Sequence, residues 1–269
     1  MVIKCQAITK AHQTTEFKSI QIYSQGNEQK TMKPPIEIIY QDDNILVINK
    51  PPKVLVIPDQ HTHENRTLVG LLKKKLNQKI WVVHRIDRDT TGVLVFAKNA
   101  EAHRNLSMQF EKSQVKKKYI ALLSGVLEED EGAINKPILV SDRDVSIDDE
   151  GKDSITDFTV LERFKSYTLV EARPQTGRRH QIRIHFWSLG HPLAIDSDYG
   201  VYDPILLSAF KRNYKEKDGQ KEKPLIDRLT LHAAELTLTL PATKEQKTFT
   251  APLPKDFEIT LKQLRKYYK

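Results

Sequence analysis

The chain has 269 residues, 29% charged and 39% hydrophobic, with 10 Gly and 13 Pro, which excludes a wholly disordered, collagen-like or coiled-coil protein. That length can bury a sizeable core and allows one large domain or two small ones. Forty-three Lys and Arg against 35 Asp and Glu leave a net charge of +8, which favours a polyanionic partner, nucleic acid first and acidic membrane second.

Residues 1–35 are polar, end in Lys33-Pro34-Pro35 and read as an N-terminal arm, with residues 36–269 as one folded domain. The arm lacks the apolar core of a signal peptide, and no stretch approaches the roughly 18 apolar residues of a membrane span. Cys5, the single cysteine, can form neither an internal disulfide nor a multi-cysteine zinc site. A reducing compartment is expected, the cytoplasm or an organelle matrix.

Ile36 to Tyr40 and Ile45 to Asn49 flank the turn Gln41-Asp42-Asp43-Asn44 and predict a hairpin. Thr67 can cap a helix in which Leu68, Leu71, Leu72 and Leu76 share a face, and Asn99 can cap a second through His103, Leu106 and Phe110. Gly92 to Phe96 reads as a buried strand between them. Tyr119 to Leu123, Phe158 to Leu161 and Tyr167 to Val170 are further strands, so the middle of the chain is mostly β.

A helix is expected from about Arg178 to Leu189 with Gly190 at its stop, a strand over Leu236 to Leu240, a lysine-dense loop over Lys211 to Lys223, and a closing amphipathic helix from about Lys255. Strands and helices mix without regular alternation, which favours α+β over a doubly wound sheet.

Two polar blocks stand out. His84-Arg85-Ile86-Asp87-Arg88-Asp89-Thr90-Thr91-Gly92 concentrates ionisable groups between two apolar strands. It suits a functional loop, and equally a turn whose Asp and Thr side chains bond the local backbone. Gln175 to His185 opens a helix whose free amides favour an anion, and it places Arg183 on the core side. A buried arginine needs a partner, and Asp87 suits it, since a guanidinium favours the carboxylate form that a nucleophile or base requires. His180 and His185 lack the spacing of a zinc motif, so no metal is expected.

Together these blocks resemble the RluA-type pseudouridine synthases, which convert selected uridines in RNA to pseudouridine. The family's His-Arg-Leu-Asp-x-x-Thr-Ser-Gly block is similar to residues 84–92, with Ile86 for Leu and Thr91 for Ser. Its Lys-x-Tyr block resembles Lys117-Lys118-Tyr119, and its Thr-Gly-Arg-x-His-Gln-Ile-Arg block matches Thr176 to Arg183 without a mismatch. Leu231-His232-Ala233 and Asn49-Lys50-Pro51 resemble two more, in the family's order across roughly residues 36 to 260. Two departures alter local loop shape: Pro52 and Lys53 stand where a small residue and then Gly usually follow, and Ile195 where Gly is common.

The resemblance implies a bent, mainly antiparallel mixed sheet flanked by helices, with a central basic cleft. It implies that Asp87 is the catalytic aspartate, that Arg183 pairs with it, that Tyr119 packs against the target base, and that Arg85 fills the gap the base leaves. Arg88, Lys117, Lys118, Arg178, Arg179 and His180 join Arg85 as candidate RNA contacts. The expected partner is ribosomal or transfer RNA, bound by a monomer with no cofactor, no metal and no membrane attachment. A non-catalytic RNA-binding or ribosome-assembly protein and a glycosidic hydrolase are the alternatives; the hydrolase would release free uracil.

Overall fold

The computed structural model describes residues 19–22, 33–142, 144–200, 202–216 and 220–269. Its first half contains β1 (Ser19–Ile22), β2 (Lys33–Gln41), β3 (Ile45–Lys50), α1 (Leu68–Leu76), β4 (Trp81–Val82), β5 (Thr91–Ala97), α2 (Ala100–Glu111) and β6 (Lys116–Ser124). There follow β7 (Glu131–Asn135), β8 (Ile138–Val140), β9 (Val145–Ile147), β10 (Ile155–Arg163), β11 (Tyr167–Pro174), α3 (Gln181–Trp187), β12 (Leu231–Thr239), β13 (Gln246–Thr250) and α4 (Lys255–Tyr267).

Eleven strands form one sheet in the order β1, β2, β3, β5, β12, β6, β11, β10, β7, with β4 also on β5 and β13 also on β12. The β5–β12 pairing is parallel and the other pairings are antiparallel. β8 and β9 form a separate hairpin. Sheet and helices make a mixed, mainly antiparallel α+β fold. Ser19–Ile22, inside the expected arm, pairs with β2, and β2 itself starts at Lys33; residues 1–18 and 23–32 lie outside the described residues.

Local chemistry explains the elements that were expected. Asp42 Oδ1 accepts from the backbone amides of Asn44 and Ile45, both at 2.7 Å, which closes the β2–β3 hairpin. Thr67 accepts from Gly70 N and Asn99 from Ala102 N, capping α1 and α2. Alternation along β3 then sorts the core. Leu46 and Ile48 face α1 through Leu68 and Leu72, while Ile45 and Val47 face α2 through Ala102 and Leu106. Each such fully buried leucine stabilises the fold by roughly 1.5–3 kcal/mol. In the other half, Ile182 and Phe186 of α3 pack on Ala121, Leu123 and Val170, and α4 packs on Leu122 and Leu169.

One helix is shorter than expected. α3 spans Gln181–Trp187 because His180 adopts a left-handed backbone, φ 55 and ψ 17, that no helix can include. The Gln181 side chain folds back to accept from Arg178 N at 3.0 Å. That amide, expected to be free for an anion, is therefore occupied. Gly190, at φ 80, follows the helix as expected.

Candidate active site

The loop between β4 and β5 carries Asp87, and several bonds fix it. His84 Nε2 accepts from Val95 N at 3.1 Å while its ring stacks on Phe110 at 4.4 Å. Burial lowers the His84 pKa to about 3, so the imidazole remains the neutral acceptor that this bond needs. From the opposite side comes Lys50, fully buried at the end of β3. Its Nζ donates to the carbonyls of Pro51, Arg88 and Thr90 at 3.0, 2.7 and 2.9 Å. Three carbonyls match the three donors of an ammonium, and two of them lie on the Asp87 loop. Burial pushes the Lys50 pKa down to about 7.

The loop ends where the two halves of the sheet meet. Thr91 and Gly92 lie beside His232 and Ala233 of β12, and Ala233 in turn pairs with Tyr119 of β6. His232 is buried, with Nε2 donating to Ala251 O at 3.1 Å and Nδ1 accepting from the Thr91 hydroxyl at 2.9 Å. Gly92 sits at φ 110, and a Cβ there would stand 2.1 Å from Ala233 O. Only glycine permits this approach. The ladder thus sets Tyr119 and the Asp87 loop on adjoining strands.

Thr176 to Arg183 supplies the opposing wall. The Thr176 hydroxyl donates to Gln181 Oε1 at 2.8 Å, and Gln181 Nε2 donates to Ile155 O at 2.9 Å, tying the turn to β10. Lys117 Nζ reaches Thr176 O from β6 at 2.5 Å, and burial lowers its pKa to about 8. From this turn Arg183 projects inward, its side chain 6% exposed, with Nη1 at 3.3 Å from Asp87 Oδ2.

Arg183 serves three carboxylates. Its Nε and Nη2 donate to the two oxygens of Asp196 at 2.7 and 2.6 Å, and Nη2 also reaches Asp198 at 2.7 Å. Burial alone would lower the Arg183 pKa, but the Asp196 bonds and the charges of Asp87, Asp196 and Asp198 push it above its ordinary value. The bidentate Asp196 clamp aims Nη1 at Asp87. Asp196 is itself held by the backbone amides of Asp198 and Tyr199.

Asp87, Arg183, His180, Arg85 and Ile86 form a ridge between two lobes of one cleft, of about 500 and 350 Å³. The size suits a small organic group. Tyr119, Lys117 and Arg178 line the larger lobe; Arg88 and Arg179 line the smaller. Tyr119 touches both the α1 and the α3 clusters, and burial, then the Asp87 charge, raises its hydroxyl pKa. The Asp87 side chain keeps 29% exposure, so a ligand in either lobe can reach it. Lys118 is not among the lining residues. It points away, pairing with Glu235 at 3.4 Å and Glu171 at 3.6 Å, as alternation along β6 requires.

Lys50, Asp196, Asp198 and Tyr199 join the site without having been expected there from the sequence. Asp196 lay next to a departure, Ile195, which is buried against α4. The signal available was the need of a buried arginine for more than one acceptor.

Known proteins resemble most of this chain. A family profile described as RNA pseudouridylate synthase matches residues 44–188. An uncharacterised RNA pseudouridine synthase of Bacillus subtilis, YlyB, is 37% identical over 86% of this chain and 73% of its own. The ribosomal large subunit pseudouridine synthase C of Vibrio cholerae is 36% identical over 85% of this chain and 69% of its own. Among solved structures, human RNA pseudouridylate synthase domain containing 4 superposes with a TM-score of 0.64 at 27% identity, covering 85% of this chain and 92% of that one. With the fold, the motif blocks and these matches in agreement, the chain belongs to the RNA pseudouridylate synthase family, in its RluA-type branch, and is an isomerase.

Proposed function

We propose that the cleft receives one uridine turned out of ribosomal RNA, and that Asp87 is the carboxylate that acts on it. The observation that carries this reading is the position of Asp87. It stands on the ridge between the two lobes, still reachable, with Arg183 at 3.3 Å behind it. An opposed guanidinium favours the anionic carboxylate, as attack on the sugar or removal of a proton requires.

The conversion exchanges the N1–C1′ glycosidic bond for a C5–C1′ bond, and a proton leaves C5 while one arrives at N1. Nothing enters or leaves overall. The base must turn within the site while both fragments stay bound, so an enclosed lobe is needed. Tyr119 offers a ring face for stacking, worth on the order of 1–3 kcal/mol. Extruding a nucleotide costs a few kcal/mol, and Arg85, exposed and lining both lobes, would fill the gap left behind. Arg88, Arg178 and Arg179 on the lobe walls suit phosphates. Ribosomal RNA is preferred as substrate because relatives such as the Vibrio cholerae protein are named for the large ribosomal subunit.

Pseudouridine mapping across total RNA, with and without the protein, tests the reading. Loss of modification at one or a few ribosomal uridines, restored by the intact chain, is the expected result. A change confined to transfer RNA would move the substrate, and release of free uracil from labelled RNA would replace the isomerase with a hydrolase.

A further inference from the structure

His180 is held in a conformation that disfavours a side chain. At φ 55 it lies in the left-handed region, yet it carries an imidazole with its side chain 16% exposed, on the ridge that both lobes share. Strain of this kind persists where the surroundings impose it, and it gathers at functional sites. Here the surroundings are specific. His180 Nδ1 lies 2.9 Å from the Tyr199 hydroxyl, and the two rings meet edge to face at 5.6 Å.

The Tyr199 hydroxyl has one proton. Its other acceptor, Val145 O, is 3.5 Å away, at the limit of a hydrogen bond, so the proton goes to Nδ1. A neutral imidazole that accepts at Nδ1 carries its own proton on Nε2. That nitrogen faces Asp87 Oδ1 at 3.8 Å, while Oδ2 of the same carboxylate faces Arg183. Asp198 Oδ2 stands equally far from Nδ1, beyond hydrogen-bond reach, so the 2.9 Å Tyr199 contact decides that nitrogen's role. Tyr199 is steadied in turn, its amide donating to Asp196 Oδ1 at 3.3 Å and its ring lying 5.1 Å from the Arg183 guanidinium.

We propose that His180, held by Tyr199 in the tautomer with its proton on Nε2, is a positioning residue that sets the rotation of the Asp87 carboxylate about the Arg183 contact. The inference rests on the reading of Asp87 as the catalytic carboxylate. Arg183 anchors one oxygen from behind; His180 holds a donor beside the other, within a small side-chain rotation of bonding it. The charged and titratable groups facing the imidazole are Asp87, Asp198, Arg183, Arg179 and Tyr199, with Arg85 elsewhere on the shared lining. Burial outweighs the acids among them and lowers the His180 pKa, which keeps the ring neutral near pH 7.

His180→Gly separates positioning from folding, because glycine accepts the left-handed backbone without strain. Turnover at saturating RNA, RNA affinity, thermal stability and the imidazole tautomer by nitrogen NMR are measured for the intact chain, His180→Gly, Tyr199→Phe and Asp87→Ala. The expected result for His180→Gly is a cooperative thermal transition and an RNA affinity that changes far less than kcat, with kcat down roughly tenfold to a hundredfold, as misplacement of a reacting group entails. Tyr199→Phe should lower kcat in the same direction and mix the His180 tautomers. Full kcat in His180→Gly beside an inactive Asp87→Ala overturns this inference alone, as does a loss confined to RNA affinity. An active Asp87→Ala overturns the underlying reading and this inference with it.

Discussion

Replacing Lys50 with Met tests how the Asp87 loop is held, because methionine fills similar space but brings no donor to the Pro51, Arg88 and Thr90 carbonyls. The native Lys50 pKa is about 7, against roughly 10.4 for an unfolded lysine. Between those values the unfolded chain binds about one proton more than the native one, so stability rises with pH across that window. Each pH unit there contributes about 1.4 kcal/mol at most. From pH 7.5 to 9.5 the intact protein should therefore gain about 2 kcal/mol relative to Lys50→Met. Other titrating groups cancel in the comparison. Urea unfolding of both proteins at the two pH values measures the difference; an intact-minus-variant stability that stays constant, or falls as pH rises, would refute the buried, depressed lysine.

Gly92→Ala should cost about 2 to 5 kcal/mol, from a side chain at φ 110 and overpacking against Ala233 O, read as a lowered thermal midpoint. Lys53 occupies φ 62 where the family usually has glycine, and its ion pair with Asp227 joins two side chains more than half exposed. Lys53→Gly should therefore stabilise by roughly 0.5–1 kcal/mol in the same assay. Asp196→Asn removes one charge from a buried clamp but leaves Arg183 its contacts with Asp87 and Asp198. A loss of about 2–3 kcal/mol, below the full cost of an orphaned ion, should accompany a fall in kcat at little change in RNA affinity.

Much of the fold was visible in local signals. The β2–β3 hairpin was marked by its Asp-rich turn, α1 by Thr67 ahead of leucines at helical spacing, and α2 by Asn99 ahead of His103, Leu106 and Phe110. β7 and β13 carried no comparable signal, since Ile134 and Phe249 are the single buried residues of those strands. α3 is shorter than its apolar spacing suggests, because the backbone at His180 is dictated by tertiary contacts. At the site, the juxtaposition of Asp87 and Arg183 was legible from an inward arginine that needed an acid. Its other acids were not: nothing local marks Asp196 and Asp198, which reach Arg183 only because the loop after α3 brings them to it. Lys50 drew notice only within the Asn49-Lys50-Pro51 block, because the three carbonyls that bind it come from its neighbour and from residues some forty positions away.

The most direct measurement is a paired one on Asp87→Asn, following RNA affinity and pseudouridine yield in the same reactions. With the basic walls intact and the carboxylate gone, RNA should bind as before while conversion disappears. Undiminished conversion by the amide variant would contradict the role given to Asp87.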